Sequence, residues 1–92
     1  MAQTRVASAA TDTQLLAADV TRRAVTIENS DANRLHIRIG SSAAATDNYS
    51  FSLEQNKNLS IPRELCGEEI RGIWAADGTG YALISYGPGV QN

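Results

Sequence analysis

From Thr21 to Gly40 the chain reads Thr-Arg-Arg-Ala-Val-Thr-Ile-Glu-Asn-Ser-Asp-Ala-Asn-Arg-Leu-His-Ile-Arg-Ile-Gly, two runs of apolar/polar alternation separated by a polar break. Successive side chains of a strand point to opposite faces of a sheet, so period-two alternation marks a strand with one buried and one wet face. The first strand is predicted over Arg22–Asn29, with Val25 and Ile27 inward and Thr26 and Glu28 outward. The second is predicted from Leu35 to Gly40, with Leu35, Ile37 and Ile39 inward and His36 and Arg38 on the wet face. Asn29-Ser-Asp-Ala-Asn33 supplies residues that bond their own backbone in turns, so the pair reads as a hairpin.

The same pattern continues on both sides. Residues 1–11, rich in Ala, Ser and Thr without a period, read as a flexible N-terminal arm, and Leu15-Leu16-Ala17-Ala18 as a short edge strand or one helical turn, the strand being favoured. Ser41–Asn48 is small and polar and reads as a surface loop open to contact. Tyr49, Phe51 and Leu53 alternate with serines, Glu54–Asn58 turns, and Leu59 and Ile61 precede Pro62, which gives a second hairpin. Arg63–Glu69 is too short for an independent helix and serves as a connection. Ile70–Ala75 and Tyr81–Tyr86 flank the glycine-rich Ala76–Gly80 and read as a third hairpin. The fold class is therefore all-β: a small antiparallel β-sandwich or jelly-roll-like domain of about six to eight short strands. It would occupy residues 12–87, between the arm and a flexible tail, 88–92.

Alternation breaks down in the third hairpin. Ile70 and Trp74 share a parity that Ile73 does not, and Tyr81 and Leu83 oppose Ile84 and Tyr86. Either Gly72 sits at a bulge that resets the phase, or the second face of these strands meets another subunit.

The length, 92 residues, suits one domain with one core, and the aromatic content is one Trp, three Tyr and one Phe. A chain of this size buries a modest share of its surface, so self-association is a natural supplement to its stability. A net charge of -2 supplies no electrostatic footprint for nucleic acid or an anionic membrane. The single cysteine, Cys66, precludes an internal disulfide, and no run has the length of a membrane span or a secretory leader, so synthesis in the cytosol is expected.

No catalytic, cofactor or metal site is assigned. His36 has no recognisable acid or nucleophile to work with. Cys66 lies among Glu64, Glu68 and Glu69, which disfavour a thiolate, and those glutamates lack the ordered oxygen pattern of a calcium loop. Asp77-Gly-Thr-Gly80 resembles an aspartic-protease or phosphate-loop signature only superficially and reads as a turn. Arg22 and Arg23 read as edge protection or a salt-bridging rim. Trp74 could stack on a sugar, but in a core short of aromatics it is expected in the core or a subunit interface.

The arginine-led strand 21–29, the turn, Leu35–Gly40, the Ser/Ala loop and Gly72-Ile-Trp-Ala-Ala76 before a glycine turn together resemble the small β-sandwich virion proteins of tailed bacteriophages, over about Leu15–Tyr86. The resemblance implies a non-enzymatic structural protein of the virion, foremost a capsid cement or decoration protein on the capsid surface. A tail, baseplate or head-fibre component and a glycan-binding virion adhesin are its alternatives. It further implies the major capsid protein as partner and synthesis in the host cytoplasm, and with the small core it favours a homo-oligomer, a trimer over a dimer. Contact is expected through Arg5 and Val6 in the arm, through Leu15 and Leu16, and through Ile73, Trp74, Tyr81, Ile84 and Tyr86 in the last hairpin.

Overall fold

The computed structural model describes residues 2–40, 44–45 and 49–87; the tail expected over 88–92 lies outside them. Eight strands follow one another: β1 (Ala2–Ala7), β2 (Thr13–Leu16), β3 (Ala24–Asn29), β4 (Leu35–Ile39), β5 (Phe51–Leu53), β6 (Asn58–Ser60), β7 (Ile70–Trp74) and β8 (Tyr81–Gly87). A 3-10 turn, Arg63–Leu65, lies in the β6–β7 connection. One antiparallel sheet has the order β1-β8-β3-β6 and the other β2-β7-β4-β5. This interleaved order is that of a two-sheet jelly roll, in which the chain passes repeatedly from one sheet to the other.

None of the three expected hairpins forms. β3 and β4 lie in opposite sheets, as do β5 and β6, and β7 and β8. Only β4 and β5 pair directly with their sequence neighbour, across the long loop between them. The polar linkers are nevertheless where the sequence places them. They carry the chain over the rim of the sandwich instead of reversing it within a sheet, so every other strand pair joins segments that are not neighbours along the chain. β3 pairs with β8 through Ile27↔Ile84 and Thr26↔Ser85, and β4 pairs with β7 through Leu35↔Trp74 and Ile37↔Gly72.

The arm is also corrected. Residues 2–7 form β1, paired in unbroken register with β8 from Ala2↔Tyr86 to Ala7↔Tyr81. Their small and polar side chains hide the strand from a periodicity argument, because an edge strand held by backbone bonds needs little apolar burial.

Burial alternates strictly along β3 and β7. Val25, Ile27, Leu35, Ile37, Ile70, Trp74, Ala82 and Ile84 line the space between the sheets and are buried. In β7 the inward positions are Ile70, Gly72 and Trp74, with Arg71 and Ile73 outward, so Gly72 resets no phase. The register shift lies on the opposing strand, between Gln14 and Leu16, and turns both Leu15 and Leu16 into the core. At Gly72 the packing is close, and a larger residue would need both neighbouring leucines to shift by a few tenths of an ångström. A Cβ there would stand 3.0 Å from Cδ1 of both Leu15 and Leu35, which fill the space it leaves.

Candidate functional site

Most polar residues that could carry chemistry are occupied in holding the strand connections together. At one rim, Asn29 at the end of β3 is fully buried. Its amide donates to the carbonyls of Asn33, 2.9 Å, and Leu53, 3.0 Å. Its Oδ1 accepts from the Trp74 indole N–H, 3.1 Å, and from the Asp31 backbone N–H, 3.0 Å. One side chain therefore ties together β3, the β3–β4 connection, β5 and β7. Trp74 has no solvent-exposed surface, so it offers no platform for a sugar.

Asp31 extends this cluster. Its Oδ1 accepts from the backbone and side-chain N–H groups of Asn33, and its Oδ2 from the Gly80 N–H, 2.9 Å. The Asp77–Gly80 segment is thus a loop folded down onto Asp31. A Cβ on Gly80 would fall 2.6 Å from the Asp31 Cα and 2.8 Å from the Ser30 carbonyl oxygen, contacts with backbone that cannot give way. Burial opposes ionisation of Asp31, but the donors on Asn33 and Gly80 outweigh it and leave the carboxyl below its ordinary pKa.

On the outside of the second sheet, the Arg71 guanidinium binds Asp12 through Nε, 2.9 Å, and Nη2, and binds Glu69 through Nη1. Gln14 donates to the same Glu69, and the Ala44 N–H donates to Asp12, 2.8 Å. The hydrogen bond from Arg71 depresses Asp12, and those from Gln14 and Arg71 depress Glu69. Glu69 is held in this network, whereas Glu64 and Glu68 are exposed. Part of the Ser41–Asn48 loop lies outside the described residues, but Ala44, at 4% exposure, packs inward instead of standing open to contact.

Acid should expose these arrangements. The depressed carboxylates Asp12, Asp31 and Glu69 stabilise the fold above their unfolded pKa values, roughly 4, and that contribution is lost as pH falls through their lower folded values. Thermal unfolding followed by circular dichroism should give a flat midpoint from pH 7 to about 5 and a falling one below about 4. Asp31→Asn should lower the midpoint at pH 7 and make the acid limb shallower. An unchanged acid limb in that variant would show that Asp31 is not one of the responsible groups.

Two expected surface residues are buried. Arg22, expected at a rim, is 5% exposed and donates from Nε to the Cys66 carbonyl, 2.7 Å, from Nη1 to Ala17, 2.9 Å, and from Nη2 to Glu68, 2.9 Å. His36 faces away from the core as its parity requires, yet it is 8% exposed because Tyr49 packs edge-on against it with centroids 4.7 Å apart. No hydrogen-bond partner orients its Nδ1 among the described residues. Cys66 is free and fully buried, with Sγ 3.5 Å from the carbonyls of Ile61 and Pro62.

The expected contact residues divide accordingly. Leu15, Leu16, Trp74 and Ile84 are core and are not available to a partner in this fold. Val6 and Tyr86 pack against the core from β1 and β8. Ile73 is half-buried on the outside of the second sheet. Arg5 and Tyr81 come together on the outside of the first sheet, the guanidinium carbon 4.7 Å from the ring centroid. Leu83 and Ser85 continue that face along β8, half-buried, and Gln3 reaches Ser85 from β1. This outer face and the adjoining β1 edge form the candidate site. Sequence reasoning names Arg5 and Tyr81 but misses Gln3 and Leu83, whose roles depend on β1 being a strand.

No protein-family model matches the chain, and no curated protein matches it. Among solved structures it is similar to the crystal structure of PirA, with a TM-score of 0.57 and 16% identity over 94% of this chain and 92% of that one. At that identity the likeness concerns the fold.

Proposed function

We propose that this chain is a non-enzymatic structural protein of a tailed-phage particle, a cement or decoration protein that binds between major capsid subunits and stabilises the mature head. The observation that carries the reading is the outer face of the first sheet. Arg5 stacked on Tyr81, with Leu83 beside them, forms a face that is mixed in character and half-exposed. Such aromatic and arginine anchors suit protein contact. The sequence resemblance to virion β-sandwich proteins supports the same reading, as does the use of Asn29, Asp31, Arg22 and Arg71 in internal bonds. Stabilisation would follow mass action: a protein that binds only the mature lattice favours that lattice, and many weak contacts add over the shell.

The test is co-sedimentation of purified protein with mature capsids lacking it. Binding at a copy number commensurate with the lattice, and a raised capsid disruption temperature, are expected. Tyr81→Ala should reduce occupancy several-fold while leaving its own unfolding midpoint within a few degrees of the parent. Absence of capsid binding, with recovery of the protein in isolated tails at low copy number, would transfer the role to a tail or baseplate component.

A further inference from the structure

We propose that β1 is a homodimerisation edge, pairing antiparallel with β1 of a second copy about a two-fold axis through Thr4 and joining two four-stranded sheets into one. The first ground is which edge is left open. β2 is a four-residue edge strand with a register shift, and β5 and β6 have three residues each, β6 being followed closely by Pro62. Short, irregular or proline-flanked edges resist pairing with another chain. β1 has six residues, no register shift and no proline, and among the described residues nothing pairs with its outer side.

The second ground is which backbone groups it presents. The Ser8 N–H donates to the Gly80 carbonyl one step beyond the Ala7↔Tyr81 pair. Hydrogen-bonded and non-bonded pairs alternate in an antiparallel ladder, so Ala2, Thr4 and Val6 direct their backbone groups to β8. The Ser30 N–H bond to the Tyr81 carbonyl agrees, since it turns the odd residues of β8 toward β3. Gln3, Arg5 and Ala7 therefore point N–H and C=O groups off the free edge.

The third ground identifies the occupant as a second copy. For the inner face of one sheet to continue into the inner face of the other, residues of equal parity must stand opposite. With the axis at Thr4, Gln3 meets Arg5 of the second copy, Ala2 meets Val6, and Thr4 meets itself. The groups facing across are then those of Gln3 and Arg5, donor to acceptor in both directions. Moving the axis to Arg5 would set two guanidinium groups directly opposite, which is unfavourable. An isologous edge of this kind closes at two copies, so a dimer replaces the trimer expected from the sequence. The inference goes beyond the proposed function, and solution mass and capsid binding read the two separately.

The experiment is light scattering coupled to size-exclusion chromatography of the full chain from low to high micromolar concentration. The wild type should have twice the 9.8 kDa chain mass. Gln3→Pro removes the edge N–H without taking a backbone bond from β8, since proline is tolerated on an edge strand where its N–H would face outward; it should elute as a folded monomer. Gln3→Ala keeps that donor and should remain dimeric. Thr4→Cys places two thiols across the axis in a non-bonded pair and should give a disulfide-linked dimer on mild oxidation. A monomeric wild type at every concentration, or a Gln3→Pro dimer, would overturn the proposal, and a dimer that fails to cross-link through Thr4→Cys would overturn its register.

Discussion

Asn29→Leu should unfold the domain or lower its thermal midpoint by about 20 °C, because it removes one side chain from four bonds at once, three of them buried. Leucine is similar in size, so the loss is not mainly one of volume. The carbonyls of Asn33 and Leu53 would lose a donor, and the Trp74 indole and the Asp31 N–H would lose an acceptor. Leaving a buried polar group unsatisfied costs about 1–3 kcal/mol. Even with partial relaxation the total would be several kcal/mol, against a domain stability of about 5–15 kcal/mol. Trp74→Phe leaves a cavity of its own but should cost less in the Asn29→Leu background than in the parent, since there it also removes the indole donor that leucine strands. Circular dichroism melts of the two single variants and the double variant test this. A midpoint for Asn29→Leu within a few degrees of the parent would show that water or a backbone shift satisfies these groups without the asparagine.

Arg22→Met should be the second most damaging substitution, with a midpoint lower by about 10–20 °C. The guanidinium bridges two connections that cross at the rim of the sandwich, the β2–β3 segment through Ala17 and the β6–β7 segment through Cys66 and Glu68. The Asp19 N–H bond to the Gly67 carbonyl, 2.9 Å, lies in the same crossing. Methionine fills much of the aliphatic volume but leaves three carbonyls without their donor, and hydrogen bonds to a charged group contribute about 1.5–3 kcal/mol each before compensation by water. Arg22→Lys distinguishes charge from shape. A lysine keeps the charge, but a single ammonium cannot span acceptors arranged around a planar fork, so it should recover only a minor part of the loss. A lysine variant as stable as the parent would mean that charge alone suffices at this position.

Both substitutions fall on residues whose importance the chain conceals. Arg22 reads as one half of a basic doublet at a strand edge, and nothing local distinguishes it from the exposed Arg23; its three acceptors lie five, 44 and 46 positions away. Asn29 reads as the junction of a strand and a turn, and it is the last residue of β3, yet two of its partners come from β5 and β7. Of the candidate contact face, Tyr81 is visible as an apolar residue out of phase with Ile84. The pairing of Tyr81 with Arg5 is not, because β1 contains no apolar period to announce a strand.

What the sequence by itself determined is the facing of side chains. Alternation reports which way each residue points relative to its own strand, and Val25, Ile27, Leu35 and Ile37 are buried as that rule requires. For β3 to β8 the presence of a strand and the all-β class follow from the same signal, whereas β1 carries no such period. Which strands pair was decided only by the tertiary structure. A polar linker of a few residues permits either a hairpin or a passage over the rim, and the choice depends on which arrangement buries Trp74 and Ile84 together and satisfies Asn29, Asp31 and Arg22. Those are contacts between residues far apart in the chain, whose combined energy no local pattern records.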